Sequence, residues 1–131
     1  MQAKSRQFFL AMAAFWLVFG LGTTFYPQIM QLFMTPEGIA ASTDFSDQVW
    51  LHGGLDIISV SVLLLALSSV PPTAHILKLA AAVALLPTLA IVYTIVRTPF
   101  WAPIFIVPGV CCAAFSLWGF RLASTGQLPA R

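Results

Sequence analysis

Apolar residues run through four stretches of the chain without alternating with polar ones, and each stretch approaches the roughly 20 residues that cross a bilayer as a helix. The first, 8–25, carries no charge. The second, 49–70, stops at Pro71-Pro72, because proline lacks an amide donor and restricts the residue before it. The third, 76–96, has Lys78 near its start and Pro87 in its middle, where a kink is expected. The fourth, 100–120, holds Pro103 and Pro108 in its first half. Continuous apolarity argues against strands, and a membrane barrel needs at least about eight of them. The pattern predicts an all-α membrane protein, one domain over 1–131 with four transmembrane helices.

The connections refine this. Those at 71–75 and 97–99 are short, which turns each helix back along its predecessor and gives an antiparallel up-down bundle. The loop at 26–48 is long. Its first part, Gln28 to Met34, is amphiphilic enough to lie at the membrane interface, and its second part holds Pro36, Gly38, Glu37, Asp44 and Asp47. With the N-terminus inside, Lys4, Arg6, Lys78, Arg121 and Arg131 fall on the cytoplasmic side and Arg97 alone outside, so both termini are expected to be cytoplasmic. Lys4 and Arg6 ahead of an apolar run, with Gly20-Leu21-Gly22 after it, resemble a signal peptide; the segment is read as a retained helix.

Composition agrees with a lipid environment. Of the 131 residues 60% are hydrophobic and 8% charged, more apolar surface than a soluble domain this small can bury. A net charge of +2 with no basic cluster gives no reason to expect a nucleic-acid partner. Cys111 and Cys112 are adjacent, point about 100° apart on a helix, and match neither a redox nor a zinc spacing. Small size and compact loops suit a bacterial inner (cytoplasmic) membrane.

Polar groups within a span are functional candidates, because they are costly there. His52, Asp56 and Ser59 fall within an arc of about 60° on the second helix. Tyr93 and Arg97 share a face of the third, near the same outer side. The expectation is a polar pocket in the outer half of the bundle lined by His52, Asp56, Ser59, Tyr93 and Arg97; a structural ion pair fixing helix register is the alternative. No catalytic residue stands out and no metal site is expected, His52 offering at most a single axial ligand with Gly53-Gly54 leaving room for a ring. No cofactor is predicted, and lipid or pigment are the candidate occupants. Gly54, Ser61 and Ser68 at sevens, Ala80 with Ala84, and Gly109 with Ala113 read as helix-packing positions, and Trp50 and Trp101 as interfacial anchors.

The Trp50-Leu51-His52-Gly53-Gly54-Leu55-Asp56-Ile57-Ile58 opening of the second helix, Phe25-Tyr26-Pro27 after the first, and the long first connection resemble the DoxX-like small bacterial membrane proteins. That resemblance implies a four-helix bundle and, the group being functionally heterogeneous, little about activity. Small multidrug exporters carry a glutamate in their first helix and vitamin K epoxide reductase-like enzymes a C-x-x-C pair; this chain has neither. The reading that results is an accessory or structural subunit, leaning away from an enzyme, whose partners are the bilayer and other membrane subunits. A small membrane enzyme or lipophilic-ligand binder using the polar pocket is the alternative, with His52 and Asp56 as its acid/base candidates and Arg97 as a charge stabiliser.

Overall fold

Three threonines set where helices begin. Thr35 accepts a hydrogen bond from the Gly38 amide (3.2 Å) and Thr73 one from the Ile76 amide (3.3 Å). Thr43 accepts from the Ser46 amide, while Ser46 Oγ accepts from the Thr43 amide at 2.9 Å, a reciprocal box that satisfies two otherwise orphaned donors. The structure, a computed structural model describing residues 2–125, has helices α1 (Gln2–Phe25), α2 (Pro36–Ala41), α3 (Asp44–Leu67), α4 (Ala74–Arg97) and α5 (Ile106–Thr125). Short 3-10 helices cover Pro27–Phe33 and Pro103–Phe105. Among the described residues there is no strand, only an isolated bridge between Met34 and Trp101. Four helices are long and apolar enough to cross a membrane: Ala3–Phe25, Asp44–Leu67, Ala74–Arg97 and Pro103–Thr125.

The helix ends differ from the apolar stretches for local reasons. The second helix begins at Asp44 rather than near 49, because the Thr43 box starts it in polar sequence and Asp44 and Asp47 suit the positive end of its dipole. The fourth begins at Ile106 rather than near 100. Ala102 is extended ahead of Pro103, and Pro108 falls in the first turn, where a missing amide costs no helical bond. Pro87 lies inside an unbroken α4, and the neighbouring Thr88 hydroxyl donates to the Gly109 carbonyl of α5 at 2.8 Å.

Packing follows the small residues. α1 and α3 run past one another in opposite directions with Gly20 against Gly54. A Cβ built on Gly20 would stand 2.9 Å from the Gly54 carbonyl oxygen, and one on Gly54 would collide with the Thr23 and Thr24 hydroxyls. Such backbone-to-backbone approach is how helices gain contact where no hydrophobic force drives them together. α4 lies along α5, and a Cβ on Gly119 would stand 2.8 Å from the Cβ of Ala81 and from the Phe8 ring. α1 and α5 meet through the edge-to-face pair Phe8–Trp118 (5.5 Å) and through Phe15–Phe115 (5.6 Å).

The order in space is therefore α3, α1, α5, α4. Consecutive α3 and α4 are not neighbours along their lengths. The long 26–43 connection lets α3 return along α1, whereas the proline-bearing turn at 68–73 merely links two helices that pack elsewhere. A core of Phe8, Phe9, Met12, Ala13, Leu64, Leu77, Ala84, Leu122 and Ala123 lies toward the turn at 68–73, and a smaller one of Met30, Ile91 and Phe105 toward the loops at the opposite end. In α3 and α4 only 17% of the most apolar window is buried, so both present long apolar faces outward.

The two adjacent glycines of α3 test this packing. Gly53 has nothing within 4 Å of an added Cβ. In detergent, Gly53→Ala is expected to leave thermal unfolding unchanged or to stabilise by up to about 1 kcal/mol through helix propensity. Gly54→Ala is expected to destabilise by about 1–3 kcal/mol through overpacking against Thr23 and Thr24. Equal melting temperatures for the two variants would contradict the Gly20–Gly54 crossing.

Candidate functional site

The five residues expected to line a polar pocket sit on two separate helix faces. His52, Asp56 and Ser59 share one side of α3, as their spacing requires, and all three are exposed, turned away from α1. Leu51, Leu55, Val60, Val62 and Leu63 are exposed around them, so Asp56 is a lone carboxylate in an apolar outward surface. The Ser59 hydroxyl donates to the Leu55 carbonyl of its own helix (3.0 Å) and is thereby self-satisfied. Asp56 has no hydrogen-bond or ion-pair partner among the described residues.

Tyr93 and Arg97 are also exposed, and they do meet. The Arg97 guanidinium lies over the Tyr93 ring, 5.9 Å from its centre. These two groups of residues are not brought together. At 1.5 Å per residue, Asp56 stands about 17 Å from the Leu67 end of α3, while Arg97 stands about 35 Å from the adjoining Ala74 end of α4. Arg97 is thus level with Asp44 and Asp47, a long way past Asp56, and α3 and α4 do not pack along their lengths. Among the described residues no three His, Cys, Asp or Glu gather where they could hold a metal ion.

A feature that hydropathy did not reveal closes the loop end. The Thr35 amide donates to the Phe100 carbonyl (2.9 Å) and the Ala102 amide to the Phe33 carbonyl (2.8 Å), and the Thr35 hydroxyl donates to the Pro99 carbonyl (2.8 Å). Gly38 abuts the Phe100 carbonyl so closely that any side chain there would collide with it. These contacts bracket the first loop to the connection between α4 and α5. Trp101 stacks on Phe105 at 4.2 Å and meets Trp50 edge-on at 5.7 Å, with Phe33 against Phe105 at 5.7 Å. Trp50 and Trp101, expected as interfacial anchors, pack on each other. The signal was present in Thr35-Pro36-Glu37-Gly38, a helix start in the middle of a loop, but nothing in it names the segment it pairs with.

Beside this bracket an open groove of about 510 Å³ runs between α1 and the 3-10 helix. Its walls are apolar, formed by Phe15, Val18, Phe19, Ile29, Leu32 and Phe33 among others. The buried Thr23 hydroxyl at its edge donates to the Phe19 and Gly20 carbonyls of its own helix, so it offers a ligand no free proton. The groove can accommodate an apolar chain and has no group to perform chemistry on one. No protein-family model, curated protein or solved structure matches the chain.

Trp101 holds the bracket's aromatic side. Trp101→Ala is expected to cost about 2–3 kcal/mol, less than the ~3–5 of a fully buried tryptophan, and to speed proteolytic cleavage within 26–43 in detergent. Cleavage at the wild-type rate would mean that the bracket does not hold the loop.

Proposed function

We propose that this chain is a non-catalytic subunit of a larger membrane assembly, docked through the outward face of α3. The observation that carries the reading is Asp56: a carboxylate beside His52, within an apolar span, on a surface its own chain leaves uncovered. A charged residue at the centre of a membrane helix costs about 2.5–3.5 kcal/mol on insertion scales when it faces lipid, so such residues face protein or water. A neighbouring helix that supplies a cation or a hydrogen-bond donor at that depth removes the cost. The sparse burial of α3 and α4 supports the same reading, since each offers more apolar surface than this chain uses.

In this reading the four helices cross the membrane as an up-down bundle with the N- and C-termini inside. Lys4, Arg6, Lys78 and Arg121 support that orientation, all standing at the end opposite the acid-bearing loop. Arg131, counted with them from the sequence, lies outside the described residues. A bacterial inner membrane and the DoxX-like layout belong to the same proposal. The second reading, a binder of lipophilic ligands, is favoured by the groove along Phe15, Phe19 and Phe33 rather than by His52, Asp56 and Arg97.

Asp56→Leu separates the two. For a docked subunit it leaves the isolated chain's thermal stability within about 0.5 kcal/mol, as befits an exposed position, while stoichiometric partner chains drop out of a mild-detergent purification. A wild-type chain that purifies alone and intact, carrying only lipid, sinks the subunit reading and leaves the binder. Orientation has its own check. Ala41→Cys should react with a membrane-impermeant maleimide on whole cells and Ala3→Cys only after lysis; the reverse pattern inverts the topology.

A further inference from the structure

The end of the molecule at which α1 and α4 begin and α3 and α5 finish is built from basic side chains. Lys4, Arg6, His75, Lys78 and Arg121 all lie there, all exposed, while Glu37, Asp44 and Asp47 belong to the far end and Asp56 stands about 17 Å away along α3. Within this end Arg6, Ser68, Ser69 and Val70 line a cavity of about 290 Å³. Its chemistry is one-sided. Arg6 has no hydrogen-bond or ion-pair partner among the described residues, and neither has the Ser69 hydroxyl. Ser68 Oγ donates its proton to the Leu65 carbonyl (2.7 Å) and shapes the wall without offering a donor.

The close of α3 weakens one objection to an anion here. A helix C-terminus normally presents unpaired carbonyls that repel negative charge. In this turn the amides of Ser68, Ser69 and Val70 donate back to the carbonyls of Leu64 and Leu65, Ala66 and Leu67, at 3.0 to 3.3 Å. The donors offered to a ligand are a guanidinium fork and one free hydroxyl, beside the apolar Val70 wall. A planar fork that pairs with two oxygens at once is the geometry by which arginine selects phosphate.

We infer that this cavity binds a phosphate group, and specifically the phosphodiester headgroup of an anionic lipid, with Arg6 as its bidentate partner and Ser69 as a second donor. The inference rests on the membrane reading above. In that setting the cavity lies at the height of the lipid headgroups, and the surrounding Lys4, Lys78 and Arg121 raise the local concentration of anionic ones. Val70 meets the apolar part of the same molecule.

The test is native mass spectrometry of the full chain released from detergent, titrated with phosphatidylglycerol or with zwitterionic phosphatidylcholine. Phosphatidylglycerol should be retained preferentially. Arg6→Gln should weaken its retention about tenfold or more, and Ser69→Ala about threefold, in keeping with loss of a charge-assisted pair and of a single hydrogen bond. Lys78→Gln removes the same charge from the same end but not from the cavity, and should cost less than about twofold. The site is overturned by equal losses for Lys78→Gln and Arg6→Gln, which would reduce it to a diffuse positive field. It is equally overturned by unaltered retention in Arg6→Gln or by equal retention of the two lipids. Displacement of the lipid by millimolar inorganic phosphate would assign the cavity to free phosphate; resistance to it assigns the cavity to the headgroup. A chain that stays in solution without detergent would overturn the membrane reading itself, whereas a detergent-dependent chain indifferent to Arg6 loses only this site.

Discussion

Everything in this architecture depends on how closely α1 and α3 approach. Gly20 and Gly54 leave the two backbones in contact, and with no side chain between them α3 occupies one flank of α1 along its length. The other flank, carrying Phe8 and Phe15, is left for Trp118 and Phe115 of α5. α4 then has α5 as its principal neighbour, joined through Ala81 at Gly119 and through the Thr88 hydroxyl at Gly109. The outward faces of α3 and α4 follow from this order, because each outer helix has one principal partner along its length and reaches the shared cores only at a few residues such as Leu64, Leu77 and Ala84.

The elements themselves were legible because lipid imposes a blunt requirement. A span must satisfy its own backbone and present apolar side chains on every side, and 8–25, 49–70, 76–96 and 100–120 do both. Ends were less legible, since they turn on single hydrogen bonds such as the Thr43–Ser46 box, which extends α3 into polar sequence that hydropathy scores as loop. Gly54 and Ser61 were legible as packing positions from their spacing of seven, and both are buried, Ser61 with its hydroxyl returned to the Ile57 carbonyl at 2.9 Å.

Neighbour choice was the part a single chain could not display. A pocket spanning His52, Asp56, Ser59, Tyr93 and Arg97 presupposes that helices joined by a short turn lie side by side. Helical periodicity correctly put the first three on one face and the last two on another, but which face meets which helix depends on glycines in α1, far away in sequence. The pairing of Phe33 with Ala102 and of Thr35 with Phe100 has the same character: two loops, each unremarkable alone, meet because the helices beneath them bring their ends together.

The bracket at the loop end also bears on how the chain is made. α1 and α3 form one antiparallel pair, α4 and α5 another, and the only covalent link between the pairs is the turn at 68–73. Synthesis runs from the N-terminus, so both helices of the glycine crossing leave the ribosome before α4 does. The loop of that first pair then waits with the Thr35 amide and the Phe33 carbonyl unmatched until Phe100 and Ala102 arrive some sixty-five residues later. Closure of the bracket therefore has to await the start of the second pair, and it then ties the two pairs together at the end of the molecule opposite the 68–73 turn.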